Sequence, residues 1–240
     1  MTRIYIQQPL AVGASIELPD EAVRHLVQVL RMAAGETLTA FNGEGGEYAC
    51  TLTAVARRSA TMAINSFDAV SREAPLAVTI AQCVSKGDRM DYALQKATEL
   101  GAAAFIPVLS SHGVVKLDGE RWEKKVEHWR GVVISAAEQS GRTRVPTVGT
   151  PIAFDALLTQ PQKGTQLILA PEAGLQLGEL PRPESITALI GPEGGFSDSE
   201  LQLAERKGWQ RLGLGPRVLR TETAPVALLA ALQARFGDFG

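Results

Sequence analysis

The sequence predicts a two-part α/β protein, a small β-barrel followed by a larger unit in which a parallel sheet is covered by helices. Three observations predict it. Short β-type runs separated by turn chemistry fill the first part, a polar stretch ending in Glu73-Ala74-Pro75 follows, and beyond it strand-like and helix-like runs alternate. The first domain is expected over 1–70 and the second over 74–240, because the residue before a proline is pushed towards an extended conformation and the chain between Ser66 and Pro75 is polar.

In the first domain the β-type runs are RIYI, TLTAF, EYACTLTAVA and ATMAI, with Asn42-Gly43 and Gly45-Gly46 as turns. One helix interrupts them. It starts at Pro19-Asp20-Glu21, places Val23, Leu26, Val27 and Leu30 at helical spacing, and closes at Gly35, so His25 and Arg31 ride on it. In the second domain LAVTIAQC, AAFIPVL, QLILA and ITALI read as strands. RMDYALQKATEL and the long segment from Asp118 to Gln139 read as helices, with stripes at Met90, Leu94, Ala97, Leu100 and at Trp122, Val126, Trp129, Val133. Core packing is the expected role of both tryptophans, ahead of base stacking. A helix from about Ser197 to Lys207, the run RLGLG and a last helix ending near Phe236 complete the chain. Val226, Ala227, Leu228, Leu229, Ala231 and Leu232 make that last helix apolar nearly all round, so it must be buried on more than one side, within the domain or against a second subunit.

Composition excludes several classes of function. With 45% hydrophobic and 21% charged residues the chain is an ordinary globular protein rather than a disordered one. The longest apolar stretches fall short of the roughly 20 residues that cross a bilayer, and MTRIYIQQPL lacks the apolar core of a secretory signal, so a cytoplasmic location with no membrane partner is expected. Cys50 and Cys83 lack metal-ligand spacing and read as reduced, packed thiols, and no metal site is expected. A net charge of -2 argues against binding any nucleic acid through bulk electrostatics, so an RNA reader with this balance needs a local patch.

The chemistry-bearing features are two glycine-rich strand ends, Ile190-Gly191-Pro192-Glu193-Gly194-Gly195-Phe196 and Leu212-Gly213-Leu214-Gly215-Pro216-Arg217. Ligands of open α/β sheets bind beyond the carboxyl ends of strands, and glycine lets main-chain groups approach a ligand closely, which suits an adenine read by backbone hydrogen bonds. Neither loop is followed by the lysine and Ser/Thr of a Walker phosphate cradle, and Gly213-Leu214-Gly215 lacks the third glycine of a dinucleotide fingerprint. Plain tight turns remain an equal alternative on composition alone.

The strings LIGPEGGFSDSE and LGLGPRVLRTETAPVALLAALQ, together with SKGDRMDYALQKATELG, EQSGRTRVP and HLVQVLRM, resemble the RsmE family nearly end to end. The resemblance implies a PUA-like RNA-binding β-barrel followed by a SPOUT domain whose C-terminal segment forms a trefoil knot, a feature no spacing argument could suggest. It implies a homodimer through the SPOUT domain, S-adenosylmethionine as cofactor, and methylation of N3 of a uridine, uridine 1498 by resemblance, in 16S rRNA of the small ribosomal subunit. Ser140 stands where relatives often carry cysteine.

By the same resemblance the cofactor pocket falls on the loop after Leu169, on Gly191, Glu193 and Gly194, and on Leu212, Leu214, Gly215, Val218 and Leu219. Arg220 is the candidate for holding negative charge on the uracil oxygens, and Glu222 for orienting that arginine or accepting the N3 proton. The alternative is that both only cap the last helix, with Thr221 or Thr223 bonding its first N–H groups and Pro225 fitting its first turn. For RNA contact the candidates are His25 and Arg31 from the first domain and Lys86, Arg89, Arg142 and Arg144 from the second, although a solvated surface role is the commoner one for each. Two rival functions remain: a ribosome assembly factor with the same fold and no transfer activity, and a nicotinamide enzyme. Titration with S-adenosylmethionine and with NADH separates them.

Overall fold

The computed structural model describes residues 2–111, 119–171 and 174–239. Contacts divide the chain into two compact units, Met1–Glu73 with Ala137–Val145, and Ala74–Ala136 with Pro146–Gly240. Arg142 and Arg144, expected in the second domain, therefore group with the first unit.

In the first unit β1 (Arg3–Tyr5), β2 (Ser15–Glu17), β3 (Thr37–Phe41), β4 (Glu47–Val55) and β5 (Ala60–Asp68) form one sheet in the order β1-β3-β4-β5-β2. β1 pairs with β3 in parallel and the other pairs are antiparallel. Ladder pairing carries β5 through the polar Ser66–Asp68 segment, expected to lie outside the strands, because Glu47–Ala49 lie opposite it. Leu38, Cys50, Leu52, Met62 and Ile64 point inward and pack with Ile4, Ile6 and Leu26. Each leucine or isoleucine fully buried in this way contributes about 1.5–3 kcal/mol relative to exposure.

The expected helix is shorter and wider than its sequence spacing suggests. Asp20–Val23 makes one α-helical turn, α1, and Arg24–Val29 continues as a π-helix, closed by the Leu30 amide donating to the His25 carbonyl. The widened turn keeps Val23 and Leu26 buried while Arg24 and His25 stay exposed. Arg31 then takes a left-handed φ of 57° and ends the helix, so it lies beyond the helix and not on it, and Gly35 serves a separate turn.

A partly buried ionic cluster fixes the segment that joins this unit from far along the chain. Glu73 Oε2 accepts from Arg142 Nε at 3.0 Å and Nη2 at 2.5 Å, while Oε1 accepts from the amides of Thr143 and Arg144 at 2.9 and 3.0 Å. Beside it Glu47 pairs with both Arg3 and Arg72. Burial acts to raise the Glu47 pKa, and the two guanidinium groups outweigh it and hold the carboxyl below its usual range.

In the second unit the chain runs β6 (Ala77–Cys83), α2 (Asp88–Glu99), β7 (Ala102–Leu109), α3 (Gly119–Ser140, whose end from Ala137 groups with the first unit), β8 (Thr147–Val148), β9 (Ile152–Ala153), α4 (Phe154–Thr159), β10 (Thr165–Leu169), β11 (Leu175–Gln176), β12 (Ser185–Ile190), α5 (Asp198–Arg206), β13 (Gln210–Gly213) and α6 (Thr223–Phe236). The expected start of the long helix at Asp118 lies outside the described residues. All strand pairs of this sheet are parallel, in the order β11-β13-β10-β12-β6-β7-β8, with β9 pairing β7 further along. Pro107 falls in the gap between the β8 and β9 pairings, where its missing N–H leaves no ladder bond unmade.

The helical stripes read from the sequence face the core. Met90, Leu94 and Ala97 of α2 are fully buried, as are Trp129 and Val133 of α3, while Leu100 and Trp122 are half-buried. Cys50 and Cys83 are free and buried, and burial pushes the Cys83 thiol up to about 12, which keeps it protonated and unreactive. No described helix is long and apolar enough to cross a membrane.

Candidate functional site

The carboxyl ends of β10, β12 and β13 open into one cleft of about 300 Å³. Ile190, Leu212 and Leu169 reach it from those strand ends, and the two glycine-rich loops form its walls. Of the expected cofactor residues, Leu169, Gly191, Glu193, Leu212, Leu214, Gly215, Val218 and Leu219 line it, whereas Gly194 is exposed and does not. Part of the loop after Leu169, Glu172 and Ala173, lies outside the described residues. Arg217, within the expected Leu212–Leu219 stretch, also lines the cleft, as do Phe196 and Leu201, which were not among the expected cofactor residues. The signal for Phe196 lay in the glycine motif itself, whose last residue is the ring that covers Gly191.

Gly191 is glycine for reasons of space. A Cβ there would stand 3.1–3.5 Å from the Phe196 ring. Gly215 is glycine for reasons of conformation, with φ +80° and open space where a Cβ would be. Leucines, prolines, Ile190, Val218 and Phe196 make up most of the lining, the glycines leave main chain bare between them, and Glu193 and Arg217 are the charged residues among them. Replacing Gly191 by alanine is expected to push Phe196 into the cleft and weaken adenosine-type ligands by roughly tenfold, an overpacking cost of about 1–3 kcal/mol. Calorimetric titration reads this directly, and an unchanged affinity would take Gly191 out of the binding wall.

Glu193 does not offer its carboxylate freely to a ligand. Arg89 Nη1 donates to Glu193 Oε1 at 2.7 Å and the Lys86 amide donates to the same oxygen at 3.2 Å, which ties the segment after β6 to the loop after β12. Burial acts to raise the Glu193 pKa, but its own backbone N–H, Arg89 and Lys86 outweigh that and hold it below the usual carboxylate range. Arg89 consequently carries a partner already, and any contact it makes with RNA must compete with Glu193.

Arg220 and Glu222 stand at the mouth of α6, directly after the second loop. The Arg220 side chain is exposed with no hydrogen bond or ion pair among the described residues, and its carbonyl accepts from the amides of Thr223 and Ala224 at 2.9 and 3.0 Å. Glu222 is half-buried, and its Oε2 is buried without a hydrogen-bond partner. Glu222 occupies the N-cap position of α6 and makes no side-chain cap, nor does the Thr221 hydroxyl, which donates instead to the Gly191 carbonyl at 2.7 Å. The capping alternative for Thr221 therefore fails, while Pro225 sits buried in the first turn as a helix start allows.

The six residues proposed for RNA contact fall on two units. In the first unit His25, Arg31 and Arg144 are exposed, and Arg144 Nη2 donates to the Glu44 carbonyl at 3.0 Å. Arg142 is a correction: its side chain is 6% exposed and spent on Glu73, so it holds the fold and presents no guanidinium to a ligand. In the second unit Lys86 and Arg89 are exposed beside the cleft loop they hold. Among the described residues no group of His, Cys, Asp and Glu is arranged to hold a metal ion.

Comparison with known proteins bears on this arrangement. A family model described as an RNA methyltransferase domain matches residues 72–233, and one described as an RNA methyltransferase PUA domain matches residues 18–64. The ribosomal RNA small subunit methyltransferase E of Bacillus subtilis is 35% identical, over 97% of this chain and 96% of that protein. The chain belongs to the ribosomal RNA small subunit methyltransferase E family. Another methyltransferase E, from Buchnera aphidicola of Schizaphis graminum, is 31% identical over 98% of this chain and 97% of that protein. Among solved structures, the methyltransferase E of Neisseria gonorrhoeae bound to S-adenosyl methionine matches with a TM-score of 0.94 at 41% identity, covering 100% of both chains. A methyltransferase of Legionella pneumophila in complex with the same cofactor matches with a TM-score of 0.96 at 40% identity, covering 99% of each chain. In methyltransferase E terms the chain has the family's α/β fold with a parallel sheet and an N-terminal PUA domain.

Proposed function

We propose that this protein uses S-adenosylmethionine to methylate N3 of a uridine in 16S rRNA, uridine 1498 by analogy with the family, within the small ribosomal subunit. One observation carries the reading: both glycine-rich loops converge on one cleft lined by leucines and by glycines that leave main-chain groups approachable, which suits an adenosine read by its edge and held by its faces. Leu169, Gly191, Glu193, Leu212, Leu214, Gly215, Val218 and Leu219 would hold the cofactor. When bound, S-adenosylmethionine supplies a methyl group on a sulfonium centre.

The residues of the chain then have to expose and prepare the acceptor. N3 lies on the Watson–Crick edge of uracil, so the base must be unpaired or flipped, and N3 must lose its proton before its lone pair can react. Arg220, without a partner among the described residues and at the end of the cleft loop, would hold the negative charge that deprotonation spreads onto the uracil oxygens. Glu222, with one carboxylate oxygen unpartnered, would accept the N3 proton or orient Arg220.

The N-terminal PUA domain would bind the RNA as a PUA-like β-barrel over 1–70, with His25, Arg31 and Arg144 as contacts in the first unit and Lys86 and Arg89 beside the cleft. The SPOUT domain over 74–240 would carry a trefoil knot. What supports the knot is that Leu212 of β13 is paired with Leu169 on one side and Leu175 on the other, so this late strand lies between two strands joined by a short connection. A homodimer through this domain is supported by the half-exposed apolar face of α6 at Val226, Ala227, Ala230 and Ala231, and by Val218, 80% exposed at the cleft rim. The cytoplasm, where small subunits assemble, is the expected location.

The experiment is mass mapping of 16S rRNA after small subunits from a strain lacking the enzyme are incubated with the protein and labelled cofactor. One methyl group on a single uridine, on a base that still reads as uracil with its N3 blocked, is the expected result. Label on another base or on ribose would overturn the N3 assignment, and no label at all would overturn the transfer reading.

A further inference from the structure

Thr221 and Gln82 form a buried polar link that no step above uses. Thr221 Oγ1 donates to the Gly191 carbonyl at 2.7 Å, and Gln82 Nε2 donates to Thr221 Oγ1 at 2.9 Å and to the Cys83 carbonyl at 3.3 Å. Because the threonine proton goes to Gly191, its oxygen can only accept from Gln82, which fixes the orientation of the glutamine amide. Gln82 is 1% exposed and Thr221 6%. Both sit where β6 and β12 end side by side, since Gln82 is the register partner of Ile190.

This placement is expensive. A glutamine in the middle of a parallel sheet, with Oε1 buried and unpartnered, costs stability that an apolar residue of the same size would not. What the link does is join parts that are remote in sequence. Gly191 begins the first cleft loop, and Thr221 stands between Arg220 and Glu222 at the end of the second. A single hydroxyl therefore sets the distance between the wall of the cleft and the pair of side chains assigned to the uracil.

Resting on the methyltransferase reading above, we infer that Thr221 is a positioning residue, held by Gln82, which sets Arg220 and Glu222 against the cofactor cleft. The hydroxyl touches neither cofactor nor uracil and acts through the backbone on either side of it. Loss of that anchor leaves the cleft lining intact and lets the Arg220–Glu222 segment drift, and misplacement on the scale of an ångström costs about a hundredfold in rate.

The test compares the full-length protein with Thr221→Val, Thr221→Ser and Gln82→Met. Two readouts are needed: the S-adenosylmethionine dissociation constant by calorimetry, and the single-turnover rate of methyl transfer to small subunits at saturating cofactor. Thr221→Val is expected to lose roughly a hundredfold in transfer rate, with cofactor affinity changed far less, and Thr221→Ser, which keeps the hydroxyl, is expected to restore the rate. Gln82→Met should show the same split with a smaller loss, because the hydroxyl survives without its donor. Equal loss in rate and affinity, or a Thr221→Ser variant as slow as Thr221→Val, would reduce the link to general packing and overturn the inference. Should Thr221→Val fail to fold, Gln82→Met takes its place, and a wild-type rate there overturns the inference. Failure of the wild-type protein itself to transfer methyl groups would instead remove the functional reading on which the inference rests.

Discussion

Replacing Arg220 by alanine is expected to abolish most methyl transfer while leaving S-adenosylmethionine affinity nearly unchanged. The side chain is exposed at the mouth of α6 with no partner among the described residues, and it is Leu219, not Arg220, that lines the cleft. Removing one preorganised donor from a site of developing negative charge lowers turnover by about 10²–10³-fold. A lysine at this position should recover little of that, because a point charge does not reproduce the planar fork that can face a uracil oxygen with two donors. Single-turnover transfer to small subunits gives the rate and calorimetry gives the affinity. Unchanged turnover in Arg220→Ala would take the residue out of the mechanism, and a parallel loss of affinity would move it into the cofactor wall.

The largest effect on stability is expected at Glu73. Its carboxylate takes four hydrogen bonds, two from Arg142 and two from the amides of Thr143 and Arg144, and the Arg142 side chain is only 6% exposed. Glu73→Ala takes the Glu73 carboxylate away from a buried guanidinium and from the amides of Thr143 and Arg144. Breaking a buried pair from one side costs about 3–5 kcal/mol, a large share of the roughly 5–15 kcal/mol that holds a typical domain together. A fall in the denaturant midpoint of the first unit checks it. A loss below about 1 kcal/mol, the size expected of an exposed pair, would mean that the cluster is solvated.

These two residues also mark how far the sequence could be read. Four strands of the first sheet, β1, β3, β4 and β5, were legible because their apolar positions recur and Asn-Gly and Gly-Gly mark the turns. β2, β8, β9 and β11 were not, since two or three residues carry no period, and their pairing is decided by neighbours far away in the chain. The helix from Asp20 was seen, but not the π-turn that ends it early, because helical spacing says nothing about which carbonyl an amide will choose. The cleft was legible as two glycine-rich strand ends, and its convergence followed from resemblance. Phe196 was overlooked because an aromatic residue after a glycine run reads as ordinary core.

Arg142 shows the opposite failure. Its residue type and its motif suggested RNA, yet Glu73, some seventy positions earlier, claims it. Long-range polar pairs such as Glu73–Arg142, Glu193–Arg89 and Gln82–Thr221 leave no periodic trace in a single sequence. They are nonetheless what holds the loops in place, so the geometry of the site was hidden although most of its lining residues were not.

Hydrogen exchange with and without S-adenosylmethionine tests the central claim most directly, since it reports which backbone amides the cofactor quiets. Slowing in both Gly191–Phe196 and Leu212–Arg220, with the first unit unaffected, is the result the shared cleft predicts. Slowing in only one of the two segments, or in neither while the cofactor is bound, would contradict it.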